Sequence, residues 1–406
     1  MMKRIKVSAA LLALTLFFIL AILIVRPPDD PFRGDAVINP PFTSLTYGVH
    51  TALWWDKTWA AVHLDWVRLM VFSHVKQIFP WETIEPRPGE WDFSRADEIV
   101  GEIESRGLQL VIRLTDAPLW SHPSVAGDKG DDYLDAPPDD PNDFGNYCGT
   151  LAGRYPGRVA AYEVWNEPNL AREWGGSPPD AAAYVVLLKV CSDAIRAVDP
   201  EAIIISAGLA PTGTYTADAT PDDIYFQALY DAGFQQYVDV VGMHAPGYAA
   251  PHIGPDEAEA SGSQRFFSFR RVEDLREIMV KNGDAAHQVA ILEFGWTTDT
   301  EGHNPDYSWY AVDEATQAQY MVAAYQYAAD HWRPWVGLMT VIYIDDPAWT
   351  PDDEEYWWGI TTAEGIVRPA YIELANMAKY CGNRVIPARA PDSPEALGLV
   401  TVTPCD

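Results

Sequence analysis

Eight short β-rich runs, each followed by a longer amphipathic stretch, order this chain between residues 45 and 381 and narrow its possible folds more than any other feature. The runs are residues 45–50, 73–79, 108–114, 159–165, 202–208, 238–244, 288–294 and 336–344. Most are dominated by Val, Ile, Leu and aromatic residues, as suits strands covered on both faces. The intervening stretches carry apolar residues at helical spacing. In DFSRADEIVGEIESRG, residues 92–107, Asp92 or Ser94 is placed to cap a helix and Gly107 to stop it. Strict alternation of strand and helix makes parallel strands with helical crossovers, and eight such units in about 340 residues predict a (β/α)8 TIM barrel. A doubly wound open sheet is the rival, but no glycine-rich phosphate loop follows the first run.

The segments on either side read differently. Lys3, Arg4 and Lys6 precede an apolar stretch, residues 7–25, and Arg26 with PPDDP follows it directly. Those 19 residues, apolar but for Ser8 and Thr15, suffice to cross a bilayer, and the basic flank stays cytoplasmic. Residues 1–26 are therefore expected to be a single-pass transmembrane signal anchor, 27–44 a Pro/Asp-rich tether, 45–383 the catalytic barrel and 384–406 a weakly ordered tail. The domain is expected outside the cytoplasm at the cell membrane; the alternative is secretion after cleavage. Cys148, Cys191, Cys381 and Cys405 suit an oxidising compartment. Pairing of Cys148 with Cys191, and of Cys381 with Cys405, is open at this point. The 58 acidic against 28 basic residues give a formal charge of −30, which repels phosphate backbones and excludes nucleic acid as a partner.

In a barrel of this kind the working face is built by the loops after the strand C-termini. Eleven of the 16 tryptophans fall in those loops: Trp54, Trp55, Trp81, Trp91, Trp120, Trp174, Trp296, Trp309, Trp349, Trp357 and Trp358. Flat rings around an acidic cleft point to a neutral polyhydroxylated ligand. Glu167 lies just past the fourth run, in YEVWNEPN, and Glu293 ends the seventh, in ILEFGW. They are 126 residues apart, three units of about 42 residues, so their strands stand across the barrel mouth. Two carboxyl groups in unlike environments, one protonated and one ionised, are what glycoside hydrolysis requires. Pro168 disfavours an α conformation at Glu167 and so aims its carboxylate.

WNEPN after a strand, with the Glu of LEFGW three units later, resembles the retaining β-glycosidases of glycoside hydrolase clan A, which are (β/α)8 barrels. FPWETIEPRPGEWDF, residues 79–93, is similar to the loop after strand two in glycoside hydrolase family 39 and in the β-galactosidases of family 42. DVVGMHAPGY, residues 239–248, is similar to the clan's strand-six end. The resemblance implies Glu167 as acid and later base and Glu293 as nucleophile. Asn166 would contact the hydroxyl beside the anomeric carbon, His244 and Tyr248 would position substrate or nucleophile, and Trp349 would floor the sugar, with Trp357 and Trp358 competing for that place. Trp81 and Trp296 join them as substrate-binding candidates. The arginine and histidine that many members carry at the ends of strands two and three have no counterpart here, and Arg113 or His50 would substitute.

Other acidic residues read as structural. Glu163 points the same way as Glu167 but roughly 13 Å deeper at the strand rise, and it needs a partner, Arg113 or Lys76. Glu82, Glu85 and Glu90 suit turns and backbone acceptance, while Asp116, Asp345 and Asp346 lie on the working face. No H-x-H or H-E-x-x-H spacing marks a metal site, no serine sits in a nucleophile elbow, and no cofactor is expected. The function this supports is a retaining glycosidase cleaving β-linked bonds of an oligo- or polysaccharide by double displacement, held to the membrane by its anchor; the alternative is a non-catalytic carbohydrate-binding barrel at the cell surface.

Overall fold

The computed structural model describes residues 37, 39–43, 45–125, 135–381 and 384–389. Eight parallel strands close into a barrel in chain order: β1 Thr46–His50, β2 His74–Pro80, β3 Gln109–Thr115, β4 Ala161–Val164, β5 Ile203–Ser206, β6 Val240–His244, β7 Gln288–Phe294 and β8 Val336–Val341. Closure is made by β1 against β8, with Thr46 opposite Leu338. The principal outer helices are α1 Ala60–Leu69, α2 Ser94–Ser105, α3 Pro141–Arg154, α4 Ala181–Val198, α5 Asp222–Asp231, α6 Arg271–Lys281, α7 Glu314–Tyr327 and α8 Pro369–Asn376. All eight expected strands are present.

Side chains of the consecutive strands β3 to β8, among them Val111, Ala161, Ile205, Val240, Ala290 and Leu338, fill the barrel with Phe42. Phe42 is buried, and its backbone exchanges two hydrogen bonds with the Gln288 side chain. The barrel therefore begins before residue 45, and the end of the expected tether is its plug. The expected tail is also partly folded, since Arg384–Ile386 pairs antiparallel with Lys379–Cys381. The apolar stretch 7–25 lies outside the described residues, and among those described no helix is long and apolar enough to cross a membrane.

Local chemistry explains how the helices are placed. At α2 the Asp92 carboxylate accepts from the Ser94 backbone N–H and hydroxyl, which satisfies a donor left free at a helix start. Asp140 and Asp180 do the same for α3 and α4. Gly145 and Gly149 let α3 lie against α4, because a Cβ there would meet Val190 O at 3.1 Å and the Ala194 side chain at 3.2 Å. The Cys148–Cys191 disulfide joins these two helices with its Cα atoms 5.3 Å apart. Cys405 lies outside the described residues, and with it the second expected pairing.

Candidate active site

At β4 the strand ends at Val164, and the chain turns sharply. Trp165 and Glu167 have φ of +73° and +34°, so the residue before Pro168 takes the left-handed region rather than the α conformation that a following proline disfavours. The Glu167 N–H donates to Gly208 O at the end of β5. Asn169 anchors the same turn by pairing with Ala210 through both ends of its amide. Glu293 comes from β7 and stands opposite His244 of β6 in the strand register. His244 can occupy the space between β5 and the two glutamates because residue 208 is glycine; a Cβ there would lie 2.1 Å from the imidazole.

The two carboxylates expected to meet do so. Glu167, His244 and Glu293 each place one polar atom within 4.8 Å of the others. His244 Nδ1–H donates to Glu167 Oε1 at 2.8 Å and lies 3.8 Å from Glu293 Oε2. Glu293 Oε1 accepts from Lys76 Nζ at 3.1 Å and from Arg113 at 3.2 Å, with His50 Nδ1 at 3.8 Å. These groups lower both carboxyls, by different means. Burial favours a neutral Glu293, but Lys76, His244 and Arg113 outweigh it and hold the carboxyl far below its ordinary range. Burial also pushes Glu167 up, and the His244 hydrogen bond and charge, with Arg172, bring it below its ordinary value. His244 itself is raised: burial disfavours its cation, while Glu293 and Glu167 favour it more. His50 is driven well down by burial and by Lys76, so it is neutral.

Glu167, His244 and Glu293 also have the donor types of a metal site. Their surroundings argue against that use, because Lys76 and Arg113 already supply positive charge at Glu293 Oε1 and His244 Nδ1 is committed to Glu167.

These groups open into a cavity of about 1380 Å3. Asn166, Tyr248, Trp349, Arg113 and His50 are among the residues that line it. Two expectations are corrected. Trp81 is wholly buried, its indole N–H donating to Glu85 and its ring stacked on Tyr147, and Trp296 is wholly buried with its N–H on Ala249 O. Neither ring faces the cavity. Of the eleven loop tryptophans only Trp55, Trp349 and Trp358 line it; Trp357 stacks on His303 instead. Long loops on this face need apolar filling of their own, and that need consumed most of the indoles.

Glu163 is paired as expected, with Lys76 at 2.9 Å. What sequence did not reveal is that the same ammonium also holds Glu293. Glu85 accepts from the Gly89 backbone, as a turn acceptor should, while Asp345 is buried beneath Gly359 and Asp346 reaches the cavity. Arg172 and Glu173 were missed. They follow Glu167 by five and six residues in a single 3-10 turn, Arg172–Trp174, and both line the cavity. Arg172 reaches Glu167 Oε2 at 3.1 Å, and Glu173 accepts from the Asn166 amide nitrogen at 3.1 Å. Their proximity to the Asn-Glu-Pro corner was the available signal.

A family model described as cellulase (glycosyl hydrolase family 5) matches residues 55–335, which include both glutamates. Among solved structures, the chain is similar to a family 39 glycoside hydrolase from the gut symbiont Bacteroides cellulosilyticus WH2, with a TM-score of 0.60 and 20% identity over 84% of this chain and 64% of that one. It is similar to a glycoside hydrolase of family 5, subfamily 18, from Streptomyces cattleya in complex with Manβ1-4GlcNAc, with a TM-score of 0.58 and 17% identity over 82% and 79%. It is also similar to an exo-β-1,4-mannosidase from Opitutaceae bacterium strain TAV5, at 0.54 and 19% over 84% and 61%. The chain thus spans less than two thirds of the length of the first and third of these. At such identities the likeness is one of fold. No curated protein matches the chain.

Proposed function

Because the chain belongs to the cellulase family, glycosyl hydrolase family 5, we propose that it hydrolyses β-linked O-glycosidic bonds of an oligo- or polysaccharide with retention of anomeric configuration. The observation that carries this is the placing of Glu167, His244 and Glu293 within 4.8 Å of one another at the end of one cavity. Retaining enzymes hold their carboxyl groups about 5–5.5 Å apart, and inverting ones need a wider gap for water.

In the first step an oxygen of the ionised Glu293 bonds to the anomeric carbon as that carbon's bond to the leaving oxygen breaks. Glu167 gives the leaving oxygen its proton. In the second step water attacks the anomeric carbon, the bond to Glu293 breaks, and Glu167 takes the proton from water. His244, whose cation the two carboxylates favour, lies 2.8 Å from Glu167 Oε1 and is placed to supply the required proton. Its transfer leaves a neutral imidazole and a neutral carboxylic acid, which arms Glu167. Lys76 and Arg113 keep Glu293 ionised, and Trp349 and Tyr248 supply faces and edges for the sugar.

The reading also places the barrel outside the cytoplasm on a membrane anchor. The basic flank before residues 7–25 and the Cys148–Cys191 disulfide support this, since disulfides persist in oxidising compartments. Protease shaving of intact cells that left the barrel untouched would remove that part. For the chemistry, a screen of aryl β-glycosides followed by NMR of the first product anomer is the test. Turnover with a β product, reduced at least ~10³-fold in Glu293→Gln, is expected; an α product rejects retention.

A further inference from the structure

The charged groups that face the cavity are mostly acidic. Eight carboxylates line it, from Glu167, Glu173, Asp218, Glu293 and four residues of the rim, against two guanidinium groups. The chain as a whole carries about two acidic residues per basic one, so the cavity is enriched beyond the chain's own bias. Both guanidiniums are already engaged, Arg113 with Glu293 and Arg172 with Glu167. Charge alone would make this only an acidic cleft, but a second feature sits inside it.

Asn166 is 7% exposed, and its Oδ1 is buried without a hydrogen-bond partner. The orientation of that amide follows from Glu173, whose carboxylate accepts from Nδ2 at 3.1 Å. In its ionised form Glu173 can only accept, so the NH2 end faces it and the carbonyl end is left for the ligand. Glu173 is held in place by the fold, its backbone oxygen accepting from the Trp165 indole. Burial, together with the negative charge of Glu167, pushes the Glu173 carboxyl up to about 7; a cation bound nearby would hold it in the ionised, accepting form. Next to the acid, then, the site offers Asn166 Oδ1, Glu173 and Glu293, all acceptors.

A hydroxyl has one hydrogen to donate, whereas an ammonium has three. Building on the glycosidase reading above, we propose that the sugar seated between Glu167 and Glu293 carries a protonated amine beside its anomeric carbon, so that the substrate class is a 2-amino-2-deoxy glycan. An ammonium there opposes the positive charge that develops at the anomeric carbon, and neighbouring carboxylates offset that repulsion. The cavity of about 1380 Å3 exceeds the roughly 300–1,000 Å3 of small-ligand pockets, which suits an oligomer rather than a monosaccharide. The neutral ligand suggested by eleven loop tryptophans loses its basis once only three of them face the cavity.

The test compares the full chain on 4-nitrophenyl β-glucosaminide, its N-acetyl form and the β-glucoside, and on fully deacetylated chitotetraose against cellotetraose, at about pH 6 where the amine is protonated. At least a tenfold higher kcat/KM on the amino substrates is expected, with a KM that rises with added NaCl for them and not for the neutral ones. Glu173→Gln should lower the amino-to-neutral ratio about tenfold. Equal or reversed preference, or equal use of the N-acetyl form, overturns the proposal while leaving the glycosidase reading intact. If no glycoside is turned over, that reading fails separately, and calorimetry with the two tetrasaccharides decides this one: tenfold tighter binding of the aminated chain supports it, and equal binding refutes it.

Discussion

Lys76 is the side chain through which the fold and the chemistry are joined, so replacing it with methionine is the most informative single perturbation. Its ammonium is fully buried between Glu163 at 2.9 Å and Glu293 at 3.1 Å. At an effective dielectric near 20 these contacts represent attractions of roughly 6 and roughly 5 kcal/mol before desolvation is counted. Methionine keeps most of the unbranched side chain, short by the terminal atom, and removes the charge. Two carboxylates then face each other in the barrel without their shared cation, and breaking a buried pair in this way costs about 3–5 kcal/mol. For a barrel of this length that lowers Tm by about 4–7 °C, from the typical entropy of unfolding per residue. The same change removes a cation holding Glu293 below its ordinary range, so the acidic limb of the kcat/KM profile moves toward neutral pH. Adding Glu163→Gln to Lys76→Met removes the stranded interior charge and should restore at least about half of the lost stability. Calorimetric melts and a pH–rate series on the three variants measure this. A loss below about 1 kcal/mol, or an acidic limb that stays put, would refute the reasoning, because the ammonium would then not be linking the two carboxylates.

Three further outcomes are expected. Glu167→Ala should slow glycosides with poor leaving groups ~10²–10⁴-fold more than activated aryl glycosides, since only the former need protonation; equal losses would deny it the acid role. Glu167 lies below its ordinary 4.5 and His244 above its ordinary 6.5. A lowered carboxyl contributes stability that is lost as pH falls through its folded value, and a raised imidazole contributes stability that is lost as pH rises through its own. The destabilisation of His244→Phe should therefore be largest between about pH 4.5 and 6.5 in thermal melts, and a difference that does not vary with pH would contradict the pairing. The Cys148–Cys191 bond closes a loop of 43 residues, for which chain entropy gives about 4 kcal/mol; urea unfolding of Cys148→Ala/Cys191→Ala measures that loss.

How much of this protein its sequence determined depended on whether a feature is set by neighbours along the chain. Strand and helix alternate because apolar periodicity is local, and eight alternations leave few architectures other than a closed barrel. The positions of Glu167 and Glu293 followed from the same arithmetic, since residues at corresponding strand ends must share the barrel mouth. The Cys148–Cys191 pairing was legible as a possibility because both lie on consecutive helical patterns. Side-chain contacts across the barrel were legible only in part. Lys76 was one of two partners open to Glu163, but its second contact, with Glu293, is announced by no motif. Which indoles turn inward depended on the loops that pack over them: Trp81 spends its N–H on Glu85 and Trp296 on Ala249, while Trp349 is left for the cavity. The orientation of the Asn166 amide, fixed by a glutamate seven residues on, is of the same kind. Sequence determines periodicity because that is a property of consecutive residues; burial, pairing and the direction of a donor are decided only where distant segments meet, and there the tertiary structure had the deciding part.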